Sequence, residues 1–138
     1  MAGTESFRKQ HAELVEFVRK IEPMLDAQKV VTAAGEVRSL LSTMIDKLSF
    51  HLAVEDNSLY PRLKLHKDAK VRELANKFEI EMSGVMPVVE AFSRKWNESA
   101  IRTDPHGFCK ETHKIFAVLA DRIQRENTQF YPVVDQAA

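Results

Sequence analysis

Four stretches of this chain carry core-type positions at alternating steps of four and three, the spacing of one face of a helix packed in a bundle. The first reads Phe7, His11, Leu14, Val18, Ile21, Leu25, and the second Val37, Leu41, Met44, Leu48, His51, Glu55. The third reads Val71, Ala75, Phe78, Met82, Val85, Val89, Phe92, and the fourth Phe108, Thr112, Ile115, Leu119, Arg122, Glu126. Strands alternate in steps of two and do not produce this pattern. An all-α fold is predicted, with helices over about 4–22, 35–57, 68–96 and 104–129. Connections this short force neighbouring helices antiparallel, so the expected architecture is an up-down-up-down four-helix bundle, with residues 1–138 as one domain. Asp68 and Asp104 stand where N-caps are needed, and Pro105 follows at the first helical position. Pro87 should bend the third helix, and the linker from Pro23 to Ala34 has room for a helical turn of its own.

With 138 residues, 44% of them hydrophobic, a single core suffices without staples. Cys109 is the one cysteine and cannot bridge internally, which fits a reducing compartment. Twenty basic and twenty acidic residues (Lys+Arg 20, Asp+Glu 20), interspersed, leave no basic excess, so no nucleic-acid partner is expected. No apolar run approaches the ~20 residues of a membrane span, and the start lacks the apolar stretch of a signal peptide. The expectation is a soluble, cytoplasmic protein without a membrane partner.

The seams are not wholly apolar: His11, His51, Glu55, Arg122 and Glu126 interrupt them. Ionisable groups are rarely buried unless paired or metal-bound. Counting ~1.5 Å per residue from the nearest turns puts His11, His51, Met82 and Arg122 in one layer, with Glu55 and Glu126 one turn beyond. An internal repeat supports this placement. His51-LAVEDNSL-Tyr60-Pro61 aligns without a gap on Arg122-IQRENTQF-Tyr131-Pro132, 71 residues later. In each copy a glutamate stands four positions after the seam residue, and His with Glu at that spacing directs nitrogen and oxygen at one ion.

These motifs resemble the hemerythrin-like, HHE cation-binding domain family over essentially the whole chain. The resemblance rests on His11 in KQHAEL, on His51-x-x-x-Glu55 followed by LYP, and on Glu126 followed by FYP. It implies a carboxylate-bridged di-iron centre inside an antiparallel bundle, used to bind oxygen, to handle nitric oxide, or to sense iron and redox state. Carried over position by position, His11, His51, Glu55 and Glu126 match metal ligands. Met82 and Arg122 stand where the family has histidine, and Met86 stands where a second one often follows. The lost histidines serve mainly one iron, so the resemblance implies a half-site: one iron ion rather than two, with Zn or Mn also compatible with the donors. Small-molecule ligands of the class of O2 or NO would follow from an open position on such an ion.

A reading of another class stands beside this one. A guanidinium does not deprotonate in a protein, so Arg122 would neutralise Glu55 and Glu126 and leave a metal-free bundle serving as a structural or regulatory interaction module. A redox enzyme acting on peroxide or nitric oxide rests on the resemblance alone. His66 and His106 fall in turns and His113 beside the seam, and all three are expected at the surface.

Overall fold

A computed structural model of the chain describes residues 3–137. Nine α-helical segments are found among them: α1 (Glu5–Ile21), α2 (Ala27–Thr32), α3 (Ala34–Val54), α4 (Tyr60–Lys64), α5 (Ala69–Ser83), α6 (Val85–Lys95), α7 (Glu98–Thr103), α8 (Pro105–Arg125) and α9 (Tyr131–Ala137). They form four long arms: α1, then α3 running into α4, then α5 with α6, then α8 running into α9. The helix expected in the first linker is α2, preceded by a 3-10 turn at Glu22–Met24 and N-capped by Asp26, which accepts from the backbone of Gln28 and Lys29. Among the described residues, no helix is long and apolar enough to cross a membrane.

Side-chain bonds between arms fix their directions. Phe7 packs edge-on against His51 while Glu13 reaches Lys47, so α1 runs opposite to α3. Lys64 pairs with Glu79 while Arg38 donates to the carbonyls of Ser93 and Trp96, which reverses the second arm against the third. Lys95 meets Glu111 while Glu81 meets Arg122, and Thr4 meets Asp135 while His11 meets Asn127. All adjacent arms are antiparallel, as expected for an up-down-up-down bundle.

The third arm breaks at Gly84 rather than at Pro87. Proline lacks an N–H and its ring crowds the carbonyl four residues earlier, here that of Ser83, the last residue of α5. Glycine next to that carbonyl lowers the cost of the interruption.

The second and fourth arms meet the same problem at Pro61 and Pro132 and solve it differently. In each, five residues wind as π-helix before the Tyr-Pro pair: Glu55–Leu59 and Glu126–Phe130. The bond closing each segment runs from the Tyr60 N–H to the Glu55 carbonyl and from the Tyr131 N–H to the Glu126 carbonyl. The wider turn carries one extra residue and advances the seam by one, so Leu59 and Phe130 are buried where steps of three would have placed the exposed Ser58 and Gln129. Both π segments begin on a seam glutamate, and wide turns of this kind recur at functional sites.

The two segments are also 71 residues apart, and the correspondence runs through the other two arms. Phe7 corresponds to Phe78, Gln10 to Glu81, His11 to Met82, Leu14 to Val85 and Val18 to Val89. The chain is a twofold repeat of helical hairpins.

Two apolar clusters flank a polar layer. The larger includes Leu14, Leu41, Leu48, Met82, Val85 and Leu119; the smaller, at the Tyr-Pro end, includes Phe7, Leu59, Tyr60, Phe78, Phe130 and Tyr131. Between them, on three of the four arms, lie His11, His51 with Glu55, and Glu126, with Met82 of the larger cluster at the corresponding position of the third arm. Cys109 and Trp96 are buried with the larger cluster, whereas Phe50 is exposed.

Candidate metal centre

Three arms supply the polar layer. α1 contributes His11, α3 contributes His51 from its last turn, and the two π segments contribute Glu55 and Glu126. All four side chains are buried, between 0% and 2% exposed. His11 Nε2 lies 3.1 Å from His51 Nε2 and 3.0 Å from Glu126 Oε1. His51 Nε2 lies 3.4 Å from Glu55 Oε1 and 3.9 Å from Glu126 Oε1. One ligand atom from each of His11, His51 and Glu126 falls within 4.8 Å of the others, a spacing that suits one metal ion.

The far side of each ring is held by an amide. His11 Nδ1 is 2.9 Å from Asn127 Oδ1, and His51 Nδ1 is 2.6 Å from Gln10 Oε1. An amide oxygen only accepts, so both Nδ1 atoms donate, which turns each Nε2 into the layer as the atom free to ligate an ion. That is the tautomer of a metal ligand, fixed from outside as outer partners of metal-bound histidines are. The Tyr131 hydroxyl donates to Glu55 Oε2 at 2.8 Å and stands 3.3 Å from His11 Nε2. Arg8 stacks over the Tyr131 ring and donates to the Asn127 carbonyl within the π segment, locking α1 against the turn that carries Glu126.

What converges is therefore a set of acceptors. Glu55 Oε1 and both oxygens of Glu126 are buried without a hydrogen-bond partner. Each buried polar atom left so costs about 1–3 kcal/mol, and more when it is charged. A cation among them would satisfy Glu55 Oε1 and one oxygen of Glu126 at once, so the residues present fit one. Without it the layer must hold protons. Burial, and then the neighbouring charge of Glu126, push the Glu55 carboxyl up to about 9. Burial lowers His51 in turn. For Glu126, burial works upward, but the attraction of His11 and His51, whose Nε2 atoms face it and can hold a proton, outweighs it and holds the carboxylate below its usual range. Burial, helped by the charges of Glu55 and Glu126, keeps the Tyr60 and Tyr131 hydroxyls protonated.

The model of the hemerythrin HHE cation binding domain matches residues 2–134, nearly the whole chain. The chain belongs to this family. No curated protein and no solved structure matches it significantly. A cation-binding family agrees with the acceptors gathered in the layer of this hemerythrin domain, and Met82 and Arg122 lie on the other side of the bundle.

Arg122 does not neutralise Glu55 or Glu126. Its guanidinium turns outward and meets Glu81 at 3.2 Å, and Arg125 shares the same carboxylate at 2.7 and 2.9 Å. Arg125 and then Arg122 hold Glu81 below its usual range. The reason is solvation: at the rim the guanidinium keeps contact with water and a partner, whereas inside it would lose its hydration for a single buried interaction. Met82, at the height of His11, is buried among the apolar side chains of the larger cluster. The half of the layer corresponding to His11 and His51 thus holds a thioether within and an ion pair at the rim.

Sequence reasoning brought His11, His51, Glu55 and Glu126 to one place, and the structure joins them. It placed the glutamates a turn beyond the histidines along the helices, and the side chain of Glu55 reaches back across that turn to His51. It did not single out Gln10 or Asn127, the partners of the ring nitrogens. Asn127 directly follows Glu126, and Gln10 occupies the repeat position of Glu81, so a repeat extended to the first arm would have marked both. His106 and His113 are exposed as expected, and His66 is half-buried, with Nε2 3.2 Å from the Ala137 carbonyl.

Proposed function

We propose that this hemerythrin-family domain binds one divalent transition-metal ion through His11, His51 and Glu126, with Glu55 as a further carboxylate ligand, and that the ion is iron. The observation that carries the reading is the convergence of two imidazole Nε2 atoms and partnerless carboxylate oxygens in one buried layer. Two imidazoles and one carboxylate around an ion with open positions is a donor set suited to Fe(II), with Zn and Mn the competing occupants. Bound there, iron would supply a site for a small ligand of the class of O2 or NO.

The chain's own residues serve that role in separate ways. Asn127 and Gln10 fix the ring orientations, and Tyr131 holds Glu55 by the oxygen not facing His51. The apolar clusters above and below exclude water. His11 lines a surface hollow of about 220 Å³ between α1 and α8, bordered by Arg8, Val15, Ile123 and Asn127, through which a diatomic ligand would reach the layer.

Elemental analysis of protein purified without an affinity tag is expected to give about one iron per chain, and His51→Ala to give none. A chain that takes up no ion even under anaerobic Fe(II) would overturn the reading. Chelation should also lower the melting temperature, since an ion held at 100 times its dissociation constant adds about 2.7 kcal/mol to folding. An unchanged melting curve with chelator would mark a bundle that folds without regard to metal.

A further inference from the structure

The repeat gives every group in the layer a counterpart, and one counterpart is idle. Tyr131 has two acceptors, Glu55 Oε2 at 2.8 Å and His11 Nε2 at 3.3 Å. Shifted by 71 residues, the same relation assigns Tyr60 to Glu126 and Met82. Yet the Tyr60 hydroxyl is buried without a partner, and both oxygens of Glu126 are in the same state. Two features set this half of the repeat apart. Met82 replaces an imidazole nitrogen with a weakly accepting thioether. Phe130, where the repeat has Leu59, stacks on Tyr60 at 5.8 Å and on Phe78 at 4.8 Å and holds the tyrosine ring in the aromatic wall. Phenylalanine would fill the same volume with no buried hydroxyl to satisfy.

We propose that Tyr60 is a positioning residue for the occupied centre: its hydroxyl donates to the Glu126 oxygen that turns away from the ion, as Tyr131 donates to Glu55. The inference rests on the cation reading above. When an ion draws one carboxylate oxygen of Glu126 toward the imidazoles, the other becomes a fixed acceptor, and the donor provided for it by the repeat is Tyr60. Each carboxylate would then be held by the tyrosine of the opposite arm. Such outer partners set the orientation of a ligand and with it the affinity for the metal.

Tyr60→Phe separates this role from ordinary packing, because the two predict opposite changes in the cation-free protein. Metal-stripped Tyr60→Phe is expected to melt at or above the wild-type temperature, while its dissociation constant for Co(II), titrated by the visible bands of the bound ion, rises about tenfold or more. Tyr131→Phe serves as the contrast: it breaks a bond already formed and lowers the melting temperature of the stripped protein. Wild-type affinity in Tyr60→Phe would overturn the proposal with the cation reading intact, and so would a stripped variant that melts well below wild type, since the hydroxyl would then have a partner without the ion. Wild-type protein that binds neither Co(II) nor Fe(II) would overturn the cation reading and this role with it.

Discussion

Glu55→Gln is expected to raise the melting temperature of the metal-stripped protein at pH 7 by roughly 5–10 °C while weakening cation binding at least about tenfold. Glu55 is fully buried, one of its oxygens has no partner, and burial lifts its carboxyl to about 9. The folded chain therefore binds a proton that the unfolded chain releases from about pH 4.5 upward, so stability falls as pH rises through that window. At pH 7 the site costs on the order of 2–3 kcal/mol, and for a chain of this size each kcal/mol moves the melting temperature by about 3–5 °C. Glutamine keeps an acceptor for the Tyr131 hydroxyl, cannot ionise, and brings an amide N–H toward the bare acceptors of His51 and Glu126. Its advantage should grow from pH 5 to pH 9 and vanish near pH 4, where Glu55 carries its proton in the folded and the unfolded wild-type chain alike. A buried ion network without metal predicts the reverse, because removing one charge from a satisfied network costs about 3–5 kcal/mol. Melting curves of the stripped pair across that pH range decide between the two. A layer that destabilises its own fold unless an ion is present is a layer kept for binding.

The arms of the bundle were legible because burial of one face enforces the four-three spacing wherever a helix packs, and the seam residues Phe7 to Ile21 or Val37 to Leu48 carry it without interruption. The identity of the layer was legible for the same reason: an ionisable residue at a core position stands out against Leu14 or Leu48 on either side. What did not show was the local winding. A steric conflict four residues ahead of a proline has two solutions, a break or a widened turn, and the pattern around Pro87 does not announce which one Pro61 and Pro132 adopt. The Tyr-Pro pairs were visible, but their effect on Glu55 and Glu126 depends on a backbone choice made by packing. Arg122 shows a second limit. Its seam position suggested an inward guanidinium, yet a long side chain can leave the seam, and Glu81 on the neighbouring arm decides its direction.

The same repeat that underlies the proposed half-site says how to complete it. Met82→His and Arg122→His, combined with Glu81→Gln, are expected to raise bound iron from about one to about two per chain. The two histidines would occupy the repeat positions of His11 and His51, facing the same Glu55 and Glu126 from the opposite side. Their ring nitrogens would have partners ready: Asp56 corresponds to Asn127, and an amide at position 81 corresponds to Gln10, which holds His51 Nδ1 at 2.6 Å. Glu81 must change with Arg122, because its carboxylate now serves two guanidinium groups and belongs to the rim rather than to the layer. In the stripped state the variant should be less stable than wild type by about 1–3 kcal/mol per imidazole left without an acceptor or ion, so the gap between chelated and iron-loaded melting temperatures widens. Iron that stays near one per chain in a folded variant would show that the 71-residue correspondence orders the helices but not the chemistry of the layer. Iron that doubles would show that the distance between this proposed half-site and a full di-iron centre is three side chains, because the scaffold, both carboxylates and one outer partner, Asp56, are already in place.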